Sequence, residues 1–353
     1  MKNPEEKIYG CLIGGAVGDA LGAPVEFKPF DSIITRYGAQ GITRYDAQTG
    51  GKITDDTQMT LFTAEGLVNA HKYFPKECKL SDKILSVYKS YLCWLITQGY
   101  EPDGITEEDK EMNKLLKVKG LYSRRAPGET CLKSLMSGKI GWTHLPLNRS
   151  KGCGGVMRAA PAGFVNWFND EFNFKLGMDI AAITHGHPSG YLPAGVLACI
   201  IRNILDGKNL MDSINRSLEL LKTKKEYDVT FLSIHTALAA YNSGDKLNWR
   251  VIEELGEGWT AEEALAIAIY CSLNAQNNFE KGVVMAVNHG GDSDSTGAIT
   301  GNILGALLGI DAIPEYYQNG LELIDVIKDY ADYFSRLDYN REGGEKRNEE
   351  MIL

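Results

Sequence analysis

The sequence lacks the features that mark several common classes of protein. Its seven cysteines are odd in number and never occur in C-x-x-C spacing, which argues against a disulfide framework and predicts reduced thiols in the cytoplasm. The 37 basic residues are outnumbered by 46 acidic ones, and a formal net charge of −9 disfavours binding to nucleic acid or anionic membranes. No apolar run follows the charged first residues, so we predict neither a signal peptide nor a membrane span.

Strand patterns and the common catalytic signatures are also missing. Alternation of apolar and polar residues is nearly absent, and there is no Rossmann fingerprint, P-loop, G-x-S-x-G elbow or kinase signature. Helical spacing is frequent instead, as in the stripe from Leu80 to Leu95. Asn209 is an expected N-cap for a helix that begins at Leu210, and a capping box of Thr260 and Glu263 opens another helix. Because no linker or internal repeat is visible, we predict a compact, all-α, single-domain orthogonal helical bundle over residues 1–338 and a charged, frayed tail over residues 339–353. The other predicted helices span about residues 5–22, 56–72, 107–118, 176–184, 190–206, 210–221, 229–242, 293–309 and 320–336.

Glycine is in excess, and its positions follow a pattern. The chain has 38 glycines in 353 residues, about 11% where roughly 7% is usual, without a collagen-like period or a low-complexity segment. Two predicted helices each carry glycine at every fourth residue. Each such glycine costs about 1 kcal/mol relative to alanine, so the stripes predict either close packing of the helices or a ligand pressed against them. The stripes consist of Gly10, Gly14, Gly18 and Gly22, and of Gly297, Gly301, Gly305 and Gly309.

Two short acidic segments, residues 54–57 and 292–295, stand directly before apolar helical stretches. In the simpler interpretation, Thr54 or Asp55 caps the helix and the helix dipole favours the acids. Each segment, however, carries two carboxylates beside a hydroxyl, and four aspartates that converge require cations. Oxygen ligands without thiolates or clustered imidazoles favour Mg²⁺ or Mn²⁺, and four carboxylates suffice for two ions. The sequence therefore predicts a dinuclear metal site in a central cleft.

A glycine-rich loop and a histidine predict an anion site. Gly152, Gly154 and Gly155 expose backbone N–H groups that, with flanking cations, can cradle a pyrophosphate, although the segment can also be a plain turn. We expect His185 to hydrogen-bond a ligand or the backbone, because the His-x-His run alone makes a weak zinc site. Glu26 follows the first glycine helix and can reach the same pocket, whereas an isolated glutamate would lie at the surface. These residues predict a dinuclear metal hydrolase for an anionic, phosphate-bearing substrate.

Five ordered segments resemble the ADP-ribosylglycohydrolase family. They are residues 14–22, 54–57, 152–158, 184–188 and 290–295, and the resemblance extends from about residue 8 to residue 336. It implies a compact all-α domain, two Mg²⁺ or Mn²⁺ ions, and hydrolysis of an ADP-ribosyl bond. The implied substrate is an ADP-ribosylated protein, and the implied product is ADP-ribose.

The resemblance also implies roles for individual residues. Asp55, Asp56 and Glu26 are the expected catalytic residues, and Asp294 is expected to bridge both ions. The expected metal ligands are Thr54, Asp55, Asp56, Asp292, Asp294 and Ser295. The expected substrate-binding residues are Ser150, Lys151, Gly152, Cys153, Gly154, Gly155, Met157 and His185, with the loop at the pyrophosphate.

The resemblance leaves the acceptor open. The glycine-cysteine-glycine loop and the histidine-proline-x-glycine-tyrosine segment are similar to those of the human-type arginine-specific branch, which favours ADP-ribosylarginine. The alternatives are a linkage to serine, O-acetyl-ADP-ribose or nucleic acid, and an immunity protein that acts partly by binding and blocking an ADP-ribosylating toxin. No motif identifies an adenine platform, for which Tyr122, Tyr191, Tyr316 and Tyr317 are candidates.

Overall fold

The computed structural model describes residues 3–73, 79–165, 169–244 and 249–337 of the chain. Within these ranges the regular structure is helical, and pairing of extended backbone is limited to three isolated β-bridges. The predicted compact, all-α, single-domain fold is confirmed. The predicted tail, residues 339–353, lies outside the described residues. The described α-helices are α1 (Pro4–Gly22), α2 (Phe30–Tyr37), α3 (Asp55–Tyr73), α4 (Leu80–Thr97), α5 (Glu107–Met112), α6 (Glu129–Met136), α7 (Asp170–Ala182), α8 (Pro188–Leu205), α9 (Leu210–Leu221), α10 (Asp228–Asn242), α11 (Trp249–Leu255), α12 (Ala261–Asn274), α13 (Phe279–Val287), α14 (Ser293–Leu308), α15 (Glu315–Gly320) and α16 (Ile324–Leu337).

The structure differs from the sequence prediction mainly in short elements. Helices α2, α6, α11, α13 and α15 were not predicted, because their six to nine residues carry too few apolar positions to establish a period. The helix predicted over 107–118 ends at Met112, where the Asn113 side chain accepts the Leu115 N–H and starts a 3₁₀ turn. Helix α7 begins earlier than predicted because Asn169 caps it.

Two predicted caps have different outcomes. Asn209 accepts the Asp212 N–H at 2.9 Å and begins α9, as predicted. The predicted capping box of Thr260 and Glu263 is wrong, since α12 begins after Thr260 without a side-chain cap. The backbone of Thr260 is bridged to Gly152 of the glycine loop, so a tertiary contact accompanies the start of this helix.

The two glycine stripes face each other between α1 and α14, which run antiparallel. A Cβ atom added at Gly18 would lie 2.0 Å from the Gly297 carbonyl oxygen. One added at Gly14 would lie 2.4 Å from the Gly301 carbonyl oxygen. The two backbones are therefore in contact along the stripes, and of the two interpretations close helix packing is confirmed.

Helix α1 has the length and composition of a membrane span but the burial of a core helix, so the expectation that no apolar run follows the charged first residues is wrong. Residues 4–25 have a mean hydropathy of 1.4 over an 18-residue window, and 83% of that window is buried inside the protein. Besides α14, helix α1 contacts α3, α13 and α16. Length and apolar composition alone are weak evidence for insertion into a bilayer.

The antiparallel packing brings three acidic segments to one end of the α1–α14 pair. Helix α1 ends at Gly22, and a Cβ atom there would lie 2.6 Å from Asp294 Cα at the start of α14. A 3₁₀ turn then leads from α1 to Glu26. Helix α3 contacts both α1 and α14, and its first turn carries Asp55 and Asp56. The fold thus positions residues that lie far apart in the chain.

We expect Gly18→Ala to lower the free energy of unfolding by about 3 kcal/mol, because the added methyl group meets backbone atoms that cannot move aside. The measurement is urea unfolding at constant pH. Gly290→Ala is the control, since a Cβ atom there has no heavy atom within 4 Å. Equal stabilities of the two variants would contradict this account of the stripes.

Candidate active site

Three carboxylates from the ends of α1 and α14 form the centre of the site. One oxygen each of Glu26, Asp292 and Asp294 lies within 4.8 Å of the others. Asp292 caps α14 by accepting the Ser295 N–H, and Asp294 stands in the first turn of the same helix. Both aspartates are buried, whereas Glu26 is half-buried at the edge of the cluster. This acidic cluster fits the ligand preferences of a hard cation.

The first turn of α3 adds two further buried carboxylates. Asp55 is 4% exposed and accepts the Gly128 N–H at 3.1 Å. Asp56 is 3% exposed, and its Oδ2 atom has no hydrogen-bonding partner among the described residues. An ionised oxygen that is buried without a partner is costly, so this atom marks a position for a cation or a proton.

The pKa values of these buried carboxylates also show that their charged forms are unfavourable in the metal-free protein. Burial and the neighbouring acids raise the pKa values of Asp55, Asp56 and Asp294 well above the ordinary range. Burial, with the Asp292 charge second, raises the pKa of Glu26 to about 7. Carboxylates arranged in this way either hold protons or are compensated by bound cations. The donor set of carboxylates and hydroxyls fits Mg²⁺ or Mn²⁺.

The two predicted hydroxyl ligands lie within this arrangement. Thr54 Oγ1 donates to Asp19 at 2.8 Å and accepts the Asp56 N–H at 3.2 Å, which leaves one lone pair for a cation. Ser295 Oγ lies 3.6 Å from Cys153 Sγ. The Cys153 thiol donates to Asp292 Oδ2 at 2.9 Å, so the glycine loop touches the acidic cluster directly.

Asp19 is a buried residue of the site to which the sequence analysis gives no role. Its carboxylate accepts the Thr54 N–H at 3.0 Å and the Thr57 N–H at 3.1 Å, and it also accepts both hydroxyl groups. Burial raises the pKa of Asp19 to about 6, and these hydrogen bonds oppose the rise. Asp19 therefore fixes the first turn of α3, and with it Asp55 and Asp56, onto α1. The available sequence signal is a charged residue inside an otherwise apolar helix.

We expect Asp19→Asn to weaken Mg²⁺ binding about tenfold, because the amide nitrogen would face the Thr57 N–H and loosen the turn that carries the ligands. Titration calorimetry measures the affinity. Asp46→Asn is the matched control: Asp46 is also buried and accepts from Tyr37 and from the Gln48 N–H, outside the acidic cluster. Equal Mg²⁺ affinities in the Asp19→Asn variant and the parent chain would show that Asp19 does not position the ligands.

The predicted glycine loop lies beside the cluster, with part of its backbone already engaged. The Cys153 N–H donates to the Trp259 carbonyl at 3.1 Å, and the Gly152 N–H donates to Ser150 Oγ at 3.3 Å. These two groups are therefore not available to a phosphate in this conformation. Gly154 and Gly155 are the remaining candidate donors of the loop.

Three other predicted substrate-binding residues differ in exposure: Lys151 is exposed, whereas Met157 and His185 are buried. Lys151 is exposed next to the loop, and its carbonyl accepts the Ala261 N–H. Met157 is 3% exposed, and its Sδ lies 3.9 Å from Ser295 Oγ, so it is buried beside a predicted ligand. His185 is 2% exposed and lies against the loop, whereas His187 turns away to cap α8.

Sequence comparison decides the family. A family model described as ADP-ribosylglycohydrolase matches residues 1–344 of the chain. The chain belongs to this ADP-ribosylglycohydrolase family. It is 30% identical over 339 residues to a protein of Archaeoglobus fulgidus, with 93% of this chain and 95% of that protein covered.

Relatives with described activities are more distant. A glycohydrolase of ADP-ribosyl-dinitrogen reductase from Rhodospirillum rubrum is 21% identical, with 90% of this chain and 91% of that protein covered. An ADP-ribosylarginine hydrolase from Serratia proteamaculans is 22% identical, with 93% and 78% covered. A solved structure of an ADP-ribosylglycohydrolase-related protein complex superposes with a TM-score of 0.65 at 23% identity, covering 96% of this chain and 99% of that one. The family is generally metal-dependent, in keeping with the acidic cluster seen here.

In this ADP-ribosylglycohydrolase, an aromatic pair that the sequence analysis did not identify lies at the rim of the site. Phe27 follows Glu26 directly, and its ring stacks on Trp259 with 4.4 Å between the ring centroids. Both side chains are about half-exposed, and Phe27 has a φ of 56°, which an L-residue rarely adopts. By contrast, the candidate Tyr317 is fully buried and donates to the Thr43 carbonyl, so it cannot stack on adenine.

Proposed function

We propose that the protein is a metal-dependent hydrolase that removes ADP-ribose from ADP-ribosylated protein, and that it cleaves the N-glycosidic bond of ADP-ribosylarginine. The observation that carries the proposal is the acidic cluster in contact with a glycine loop, beside the buried Asp56 Oδ2, which has no hydrogen-bonding partner among the described residues. Thr54, Asp55, Asp56, Asp292, Asp294 and Ser295 would hold two Mg²⁺ or Mn²⁺ ions. Bound there, the ions would supply Lewis-acid chemistry and compensate the carboxylates.

The chain's own groups have separate tasks in this proposal. Glu26, half-buried at the edge of the cluster, would be placed to accept or donate a proton. Asp55 or Asp56 would assist as proton acceptor or donor while the guanidine leaves. The N–H groups of Gly154 and Gly155 and the imidazole of His185 would bind the pyrophosphate.

The arginine linkage is supported by the aromatic rim as well as by the relatives. A guanidinium group is planar and stacks favourably on aromatic faces, which serine does not. Phe27, which follows Glu26, and Trp259 stack on each other and are about half-exposed, so the outward side of this pair would offer such a face. No observation in the described ranges supports the binding of an ADP-ribosylating toxin, and the proposed role is hydrolysis. The proposed location of the protein is the cytoplasm, on the basis of its unpaired cysteine pattern.

The test is a panel of ADP-ribosylarginine, ADP-ribosylserine and O-acetyl-ADP-ribose substrates, each with Mg²⁺, Mn²⁺ or excess chelator. We expect release of ADP-ribose from the arginine conjugate in the presence of either ion and none in chelator. A preference for the serine conjugate would retain the hydrolase and refute the arginine linkage. Full activity in chelator would refute the metal dependence.

A further inference from the structure

The fully buried Arg158 lies below the glycine loop and makes its contacts with neutral groups. Its Nη2 donates to Thr184 Oγ1 at 2.6 Å and its Nη1 donates to Cys131 Sγ at 3.2 Å. A backbone carbonyl, that of Ile180, accepts a further hydrogen bond at 3.3 Å. None of the partners described for this guanidinium is a carboxylate. A buried charge without a counter-charge is unfavourable for stability, which favours a role in ligand binding.

The direction of the hydrogen bonds next to Arg158 follows from donor chemistry. A guanidinium group can only donate, so Thr184 Oγ1 accepts from it. His185 Nδ1 lies 2.8 Å from the same hydroxyl. The hydroxyl carries one proton, and Nδ1 is its best acceptor, because the nearby Cys131 sulfur accepts weakly and already receives an Arg158 N–H. Nδ1 therefore accepts, and the proton of a neutral imidazole is on Nε2.

The Nε2 edge of this imidazole faces the glycine loop. A Cβ atom at Gly154 would lie 3.2 Å from His185 Nε2, and one at Gly152 would lie 3.4 Å from it. The imidazole thus occupies the space next to the loop that a side chain would take. An N–H donor on Nε2 would point to the same region as the glycine loop at Gly152 and Gly154.

We infer that Arg158 and Thr184 are positioning residues that hold His185 as the neutral Nε2–H tautomer, so that the ring donates to an anionic oxygen bound at the glycine loop. The inference rests on the proposed function in its choice of ligand, the pyrophosphate of ADP-ribose. Burial, with the Arg158 charge second, lowers the pKa of His185 to about 3, in agreement with a neutral ring. Arg158 then supplies positive charge below the loop without touching the ligand.

The test measures both the tautomer of the His185 imidazole and the affinity of the protein for ADP-ribose. Long-range ¹H–¹⁵N spectra of the imidazole, assigned with a His185 variant, are expected to show the Nε2–H form with a hydrogen-bonded Nδ1. Thr184→Val should remove that hydrogen bond and weaken the binding of ADP-ribose about tenfold by calorimetry at saturating Mg²⁺. Binding of adenosine, which has no phosphate, should not change. Thr184→Ser should restore both the spectrum and the affinity.

A second pair of variants tests the donor if Thr184→Val does not fold. His185→Gln places an amide nitrogen near the position of Nε2 and should bind ADP-ribose within about threefold of the parent chain. His185→Asn places it near Nδ1 and should lose about tenfold. An Nδ1–H tautomer in the parent chain, or parent-like ADP-ribose affinity in Thr184→Val, overturns the inference. Failure of the parent chain to bind ADP-ribose refutes the proposed function instead, because the tautomer is measured without ligand.

Discussion

The double variant Asp55→Ala, Asp56→Ala is expected to release ADP-ribose from ADP-ribosylarginine at least about 1,000-fold more slowly than the parent chain. Both carboxylates stand in the first turn of α3, are buried, and lie close enough to Asp292 for its charge to contribute to raising their pKa values. Their removal takes away two proposed metal ligands and the proposed proton acceptor together. Initial rates of ADP-ribose release at saturating Mg²⁺ measure the effect.

The matched control is the double variant Glu107→Ala, Glu108→Ala. These adjacent acids also stand in the first turn of a helix, α5, but they are exposed and take no part in the acidic cluster. We expect its rate to stay within about twofold of the parent, as is usual for surface substitutions. Thermal unfolding confirms that both variants are folded. Parent-like activity in the Asp55→Ala, Asp56→Ala variant would refute the proposed centre.

The second large effect concerns the contribution of the buried carboxylates to the stability of the metal-free protein, which we expect to fall as the pH rises from about 4.5 to 7.5. The folded-state pKa is raised to about 7 in Glu26 and to about 6 in Asp19, and it is also raised in Asp294. In this pH range the unfolded chain has already released these protons while the folded chain still binds them. Because the unfolded state binds fewer protons at these carboxylates, their contribution to stability decreases with pH, by on the order of 3 kcal/mol. The buried neutral His185 and His289, whose pKa values are lowered to about 3 and about 4, change stability in the opposite direction and are common to the parent chain and its carboxylate variants.

Saturating Mg²⁺ should remove most of this decrease, because bound cations compensate the ionised carboxylates and stabilise the folded state. Urea unfolding in chelator and in Mg²⁺ at several pH values measures both effects. Asp294→Asn isolates the contribution of the cluster: it should be more stable than the parent in chelator at pH 7.5 and should gain little from Mg²⁺. Metal-free stability that neither depends on pH nor changes in Asp294→Asn would contradict the repulsion that we infer between these carboxylates.

The helix class of this fold could be predicted from local patterns alone. Apolar residues at helical spacing and the near absence of strand alternation indicate an all-α chain, and Asn209 caps its helix as the local sequence predicts. The short helices could not be predicted in the same way. Helix α13, for example, has nine residues, and packing against α14 stabilises it more than its own periodicity does.

The sequence also contained most of the proposed centre. The aspartate pairs of residues 54–57 and 292–295 and the glycine loop were predicted to supply oxygen ligands and an anion site, and the structure places these segments near each other. Local sequence could not show that Asp19 accepts hydrogen bonds from Thr54 and Thr57, because that contact joins two helices. The Phe27–Trp259 stack is also a contact between distant segments, and so is unpredictable from spacing.

What the sequence determined by itself is the chemistry available to this protein: which side chains can bind cations, and which backbone lacks side chains. What only the tertiary structure decided is how these groups face each other. The contact between Gly18 and Gly297 lets α1 and α14 approach at backbone distance, and their antiparallel course brings Glu26 to Asp294. The physical reason is that helix propensity and capping act within a few residues, whereas burial and close packing join segments that are hundreds of residues apart in the chain.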